Sequence, residues 1–414
     1  MKKSLVICLF SCYAINAQID PLALDSLLLY GKHHDLIQTL KSEPLNNLTL
    51  SQLGKVYQDK GDVYNALIHY EKATRINYSL ENRLRLAKLN TLLQRFKIAE
   101  ELLIHLKKDF PTNEVIEINL AKLYHRQNKF SNSIRLYKNL ANKSPSNLDY
   151  TYGLGLAYAG DKKFSTAIDT FLDVYKKDST HFNAIYQLAK SFYELKIPDS
   201  TYVFIHKGNQ IRPNHKNLNR IYINQLLRDK RYKDAISVLK IQDSLYPDEF
   251  FNKKMFGICL YNNDETEAAE TFFKEALTIN PNDFKSYTYL GHLALKKGNY
   301  KEAFLDYFKA TITDKSLRDE EYYGMGMASI AMDENKQAYK FLKKAYEENK
   351  RNSLVLFELA KITDHITKGG KEAYQYFNEY LNRFPTKNKE NNVYVHKRVK
   401  EIKESFFLKG VHLE

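Results

Sequence analysis

Between Leu53 and Ala73 the chain reads LGKVYQDKGDVYNALIHYEKA, with large apolar and aromatic residues set three and four apart around three small ones, Gly54, Ala66 and Ala73. Apolar residues at that spacing share one face of an α-helix, and Lys60-Gly61-Asp62 between the two runs is a turn signal. The stretch predicts two amphipathic helices joined by a tight turn. The arrangement returns along nearly the whole chain. One small position falls at Ala66, Ala99, Ser133, Ala167, Thr201, Ala235, Ala269, Ala303, Ala338 and Ala373. Twelve residues earlier stand Gly54, Ala87, Ala121, Gly155, Ala189, Ile223, Gly257, Gly291 and Gly326, with Ala360 thirteen before Ala373. Four residues after the first series come Tyr70, Leu103, Tyr137, Phe171, Ile205, Leu239, Phe273, Tyr307, Leu342 and Phe377, all large.

Prolines keep the same time. Pro111, Pro145, Pro213, Pro247, Pro281 and Pro385 each stand twelve residues past the alanine series. Proline lacks the amide hydrogen and disfavours helix in the residue before it, so a proline at this phase ends one helix and opens the next unit.

This register of 33 to 35 residues resembles the tetratricopeptide repeat, a helix-turn-helix unit that stacks on its neighbours. The resemblance implies an all-α fold, a right-handed α-solenoid or superhelix of about ten units over residues 47–386. A degenerate half repeat precedes it in 18–46, and a C-terminal capping helix and tail follow in 387–414. In the family the small residues sit where helix A and helix B of a unit touch, because backbones approach only where no side chain intervenes. Helix A is expected over stretches such as Leu84 to Phe96 and helix B over Ile98 to Lys108, with turns such as Lys297-Gly298-Asn299 and no strands. Each unit buries its apolar face only against its neighbours, so the array needs a solvating helix at its end. Val393, Val395, Val399, Ile402 and Phe406, partly at helical spacing among Lys397, Arg398, Lys400 and Lys403, fit that cap. A basic tail for an anionic surface is the other reading of the same residues. Between Thr201 and Gln242 the slots carry Thr201, Gly208, Ile223 and Gln242, and Pro198 opens a helix; a loosened junction and sequence drift both account for that.

Composition fits a folded array: 43% hydrophobic and 27% charged residues among 414, with only 15 glycines and 9 prolines. Lys and Arg outnumber Asp and Glu by 63 to 49, a net charge of +14 with both signs interspersed. At the N-terminus Lys2 and Lys3 precede an apolar run from Leu5 to Tyr13, and Ile15-Asn16-Ala17 offers a cleavage site, the signature of a signal peptide over 1–17. An exported protein, periplasmic or envelope-associated, is expected. Leu9-Phe10-Ser11-Cys12 is an alternative lipoprotein signal, in which case a membrane anchor would sit on Cys12. Cys8 and Cys12 lie in this segment, which leaves Cys259 without a partner for an internal disulfide.

Catalytic motifs are not found. Gly153 to Gly160, GLGLAYAG, and Gly324 to Gly326 superficially suggest phosphate loops, but such loops follow a strand, and these glycines fall on the repeat phase. Of twelve histidines only His33 and His34 are adjacent, and adjacent helical residues point about 100° apart, a poor metal pair. No enzyme activity, cofactor or metal is expected.

Binding remains. In the family, helix A lines a concave groove with positions two, five, nine and twelve of each unit. Carried onto this chain the resemblance implies Tyr152 and Leu156; Tyr186, Lys190 and Tyr193; Arg220, Asn224 and Leu227; Lys254, Ile258 and Tyr261; Lys285, Thr288 and His292; and Tyr323 with Met327. Tyrosine offers an apolar face with a hydroxyl, and Lys or Arg a charge, which suits a partner protein, an extended peptide or an acidic segment. The family's carboxylate clamp is incomplete: Arg220, Asn224 and Lys285 fit, but Met255 and Tyr289 stand where asparagine and a basic residue belong. The competing function is electrostatic binding of an anionic polymer, cell-wall glycan or membrane surface. Nucleic acid is not expected as a partner.

Overall fold

The computed structural model describes residues 27–29, 31–313 and 318–413. Apart from the helical residues 27–29, the described residues contain helices of ten residues or more and no strand. The predicted signal, Cys8 and Cys12 lie outside the described residues. The chain forms two compact units, one ending at Pro213 and one beginning at Asn214.

In the first unit, α1 (His33–Ser42) precedes five pairs: α2 (Asn47–Asp59) with α3 (Val63–Ile76), α4 (Leu80–Leu92) with α5 (Phe96–Asp109), α6 (Glu114–Arg126) with α7 (Phe130–Lys143), α8 (Leu148–Gly160) with α9 (Phe164–Lys177), and α10 (Phe182–Glu194) with α11 (Pro198–Ile211). The second unit holds α12 (Lys216–Arg228) with α13 (Tyr232–Leu245), α14 (Phe250–Asn262) with α15 (Thr266–Ile279), α16 (Phe284–Lys296) with α17 (Tyr300–Thr313), α18 (Asp319–Ala331) with α19 (Asn335–Glu348), and α20 (Ser353–Thr367) with α21 (Lys371–Arg383). It closes with α22 (Lys389–Leu408). Within each unit consecutive helices pack antiparallel in an α-solenoid of tetratricopeptide type.

The periodic small residues are the core of this stacking. All ten of the series from Ala66 to Ala373 are fully buried. The large series from Tyr70 to Phe377 is buried too, Tyr137 the least so at 6% exposed. What the glycines make room for is a side chain rather than a backbone. A Cβ on Gly257 would lie 2.7 Å from the Phe273 ring, and one on Gly291 would lie 2.9 Å from Tyr307. Each is sixteen residues on, in the B helix of the same pair. Gly324, in the next A helix, abuts the other side of Tyr307. The large residue thus plugs the junction of three helices, and small residues on two of them form its socket.

Helix A begins earlier than expected. The run expected from Leu84 to Phe96 is α4, Leu80 to Leu92, because Ser79 caps it by accepting from the Asn82 amide at 3.3 Å. Its end is fixed by Gln94 at φ 57°, in the left-handed region. The same turn recurs with Asn128, Lys162, Lys196, Lys230, Asp264 and Asp333, and with Gly61 and Gly298 where glycine fills it. The phase-locked prolines stand in the turns from B to the next A, as Pro111 does between α5 and α6. The departures around Thr201 are accommodated: Thr201 and Ile223 are fully buried, and the Gln242 side chain donates to the Asn214 carbonyl at 3.4 Å.

The final helix covers the last pair. Val395, Val399 and Ile402 of α22 are buried and Phe406 packs on the same cluster, whereas Val393, expected on that face, is 65% exposed. Arg398 straps the helix down, meeting both carboxylate oxygens of Asp364 on α20 at 2.6 and 3.0 Å.

Candidate interaction surface

The A helices of neighbouring pairs touch directly: α4 meets α6 and α8 meets α10 in the first unit, and α16 meets α18 in the second. A stack bends toward its more closely packed row, so within each unit the A faces form the inner wall. The fifth and ninth residues of an A helix lie one turn apart on that wall. The fifth are Ser51, Leu84, Ile118, Tyr152 and Tyr186 in the first unit, followed by Arg220, Lys254, Thr288, Tyr323 and Phe357 in the second.

The structure gives these side chains different jobs. Tyr152 is half-buried, its ring 5.7 Å from Phe171 and 5.4 Å from His181, the residue that caps α10. Arg220 repeats that link with charge. It donates to Glu249 at the start of α14, Lys216 joins the same carboxylate, and the guanidinium lies 5.0 Å over Phe251. These cations, Lys216 first, hold the Glu249 carboxyl below its usual range. Lys254 does the same one pair on, its ammonium 2.7 Å from Asp283, which also caps α16 by accepting from the Ser286 amide at 2.9 Å. In all three cases the fifth residue reaches the residue just before the next A helix, 29 positions along the chain. Arg220 and Lys254 are therefore braces between repeats, Lys254 matched by Asp283 and Arg220 sharing the Glu249 carboxylate with Lys216. In the sequence they read as charges offered to a ligand.

Tyr261 and His292 come together in one aromatic cluster. Tyr261 lies 5.0 Å from Tyr289, and His292 lies 5.5 Å from Tyr307 and 3.4 Å from the Glu320 carboxylate. Burial pulls the His292 imidazole below its ordinary pKa and raises the Tyr261 hydroxyl. Glu320 is raised, first by burial and then by Glu321 and Asp319 beside it. Thr288 on the same wall is buried and donates to Glu321 at 2.6 Å. Leu156, Tyr186, Tyr193, Asn224 and Tyr323 are half-buried, and Lys190 is exposed. Burial raises the Tyr323 hydroxyl.

Residues outside this set complete the wall. Lys88 and Lys122, ninth in α4 and α6, are exposed and form no ion pair among the described residues. The ninth-position slot that picks out Lys190 also contains them, one and two repeats before Tyr152. Two cavities open on the first two A helices. One of about 690 Å3 is lined by Leu28, Leu29, Lys55, Gln58, Asp59 and Arg85; a second of about 220 Å3 shares Lys55 and Arg85 and adds Ser51 and Asn82. Cys259 is fully buried, and burial pushes its thiol up to about 12, so it offers no nucleophile. Among the described residues no group of three or more His, Cys, Asp or Glu is placed to hold a metal, and no helix is long and apolar enough to cross a membrane.

Tetratricopeptide repeat family models match residues 49–79, 118–181, 255–283 and 272–304. No curated protein matches the chain. Among solved structures, an IFIT1 monomeric mutant with Gppp-AAAA superposes with a TM-score of 0.51 at 11% identity, over 93% of this chain and 98% of that one. The human IFIT1 dimer with PPP-AAAA gives 0.50 at 13% identity, over 90% and 94%. Yeast Tom70 gives 0.42 at 16% identity, over 93% and 96%. At these identities the likeness concerns the fold. The repeat matches support a protein-interaction scaffold and indicate no enzymatic family.

Proposed function

We propose that the chain is an exported, non-enzymatic scaffold of the cell envelope that holds a partner protein or an extended peptide against the inner walls formed by its A helices. The observation that carries this reading is half-buried Tyr186 and Tyr193 beside exposed Lys190 on the inner wall of the first unit, with half-buried Asn224 and Tyr323 on that of the second. Rings fixed by packing give contact area at small entropic cost, and the polar edges give direction. Electrostatic capture of an anionic polymer is the weaker account of the second unit, where Arg220 and Lys254 are already engaged by Glu249 and Asp283.

A photoreactive residue placed at Lys190 or Asn224 tests the surface, with Lys72 and Lys240, exposed on the B helices α3 and α13, as controls. Discrete adducts from the inner positions and none from the outer ones are expected in native envelopes. Equal labelling from both rows would remove the inner wall from consideration. Export is tested by sequencing the mature protein, expected to begin at Gln18; an intact Met1 in a cytoplasmic fraction would end that part of the reading.

A further inference from the structure

The two inner walls differ in charge left available. In the second unit every lysine and arginine in the fifth and ninth slots enters an ion pair: Arg220 with Glu249, which it shares with Lys216, Lys254 with Asp283, and Lys361 with Glu358 at 3.0 Å. In the first unit the ninth slot reads Lys55, Lys88, Lys122, Leu156 and Lys190. Lys88, Lys122 and Lys190 are exposed and enter no ion pair among the described residues. One turn away on the same helices runs an apolar row, Leu84, Ile118, Tyr152 and Tyr186, all half-buried. Of the acids on this wall, Glu81 is held by Arg85 at 2.7 Å. Asp59 meets His33 at 2.8 Å, Glu114 accepts from the Tyr150 hydroxyl at 2.7 Å, and Asp149 and Glu194 stand at the edges of the wall; Lys88, Lys122 and Lys190 form no ion pair with any of them.

We infer that the inner wall of the first unit is the docking surface for an extended protein segment in which acidic and apolar side chains alternate. The inference rests on the scaffold reading above and names the chemistry of the partner. An extended strand sends successive side chains to opposite sides, and the wall offers two parallel rows about 5–6 Å apart. Apolar side chains of one parity lie on Leu84, Ile118, Tyr152 and Tyr186, while carboxylates of the other parity reach the ammonium row. A nucleic acid fits less well, because single strands hold to stacking platforms, and half of the apolar row is the aliphatic pair Leu84 and Ile118.

The probe is a fluorescent peptide alternating glutamate and leucine, titrated into the mature full-length chain with anisotropy as readout. A lysine-leucine peptide and a single-stranded RNA serve as comparison probes. The glutamate peptide is expected to bind, to weaken as salt rises, and to weaken by about tenfold or more in K88E/K122E/K190E. The variant K88Q/K122Q/K190Q should fall between. The outer triple K72E/K97E/K138E, on B helices, should bind as the parent does. Unchanged helical circular dichroism shows each variant folded. Failure of the parent to bind, equal loss in the outer triple, equal binding of the lysine peptide, or tighter binding of the RNA in competition would each overturn the assignment. If adducts at Lys190 persist while the glutamate peptide fails, the scaffold stands and the acidic partner falls; if both fail, the inner wall is not the surface.

Discussion

At the scale of single residues, the array is held by sockets and by turns that cost something to make. Lys162, Lys196 and Lys230 adopt the left-handed backbone conformation that Gly298 adopts in the equivalent turn. A β-carbon there costs roughly 1–2 kcal/mol. Lys196→Gly should therefore stabilise the first unit by about 1 kcal/mol, less the chain entropy that glycine adds, and Gly298→Ala should destabilise the second by a similar amount. Gly257→Ala should be worse, about 1–3 kcal/mol, since its new methyl meets the Phe273 ring. Thermal melts of the three variants check the order, and a neutral Gly257→Ala would dismiss the socket. His125 supplies a pH dependence. Burial, with its ring 5.3 Å from Phe130, holds its pKa below the ordinary 6.5. The unfolded chain takes up the proton first, so the contribution is complete above pH 6.5 and is lost as pH falls through the folded value. Melting temperature should drop between about pH 7.5 and about pH 5 by less in His125→Gln than in the parent; equal drops would assign the effect elsewhere.

At the scale of helices, the braces between repeats decide what the surface can offer. A fifth residue bound to the residue before the next A helix fixes the stagger of neighbouring pairs, as Arg220 with Glu249 and Lys254 with Asp283 show. Here the sequence leaves open what a side chain already holds. The repeat phase places tyrosine, arginine and lysine at the fifth and ninth positions of the A helices. Whether their functional ends are free depends on an acid 29 residues away, and that proximity exists only once the helices are stacked. Lys88 and Lys122, unremarkable as letters, emerge as available charge for the same reason. The cap shows the reverse case: alternation of Val395, Val399 and Ile402 with lysines is enough to foresee α22, but not that Arg398 would chelate a side chain 34 residues away. Arg398→Ala leaves the nearly buried Asp364 carboxylate without its partner, a loss of about 1–3 kcal/mol. Hydrogen exchange in α22 should accelerate while α12 keeps its protection, and Arg398→Lys should restore only part of it, since an ammonium cannot bridge both oxygens. An α22 as protected as before would show the strap to be ornamental.

At the scale of the molecule, each compact unit has its own buried clusters. That of α19 to α22 lies wholly in the second, and those built around Leu53 and Leu103 lie wholly in the first. Stability in such stacks is a sum over repeats and their interfaces. Residues 27–213 and 214–414, made separately, should each be helical and melt cooperatively; a fragment without helical signal would show that the unit depends on the rest of the chain. By itself the sequence determined the repeat length, the ten helix pairs, the residues that fill their sockets and the turns that join them. It could do so because each of these is a local demand, a small volume or a missing amide hydrogen at a fixed distance along the chain. Only the tertiary structure decided which charges are consumed and which remain. An ion pair depends on distance in space, and the stagger of one helix on the next sets that distance.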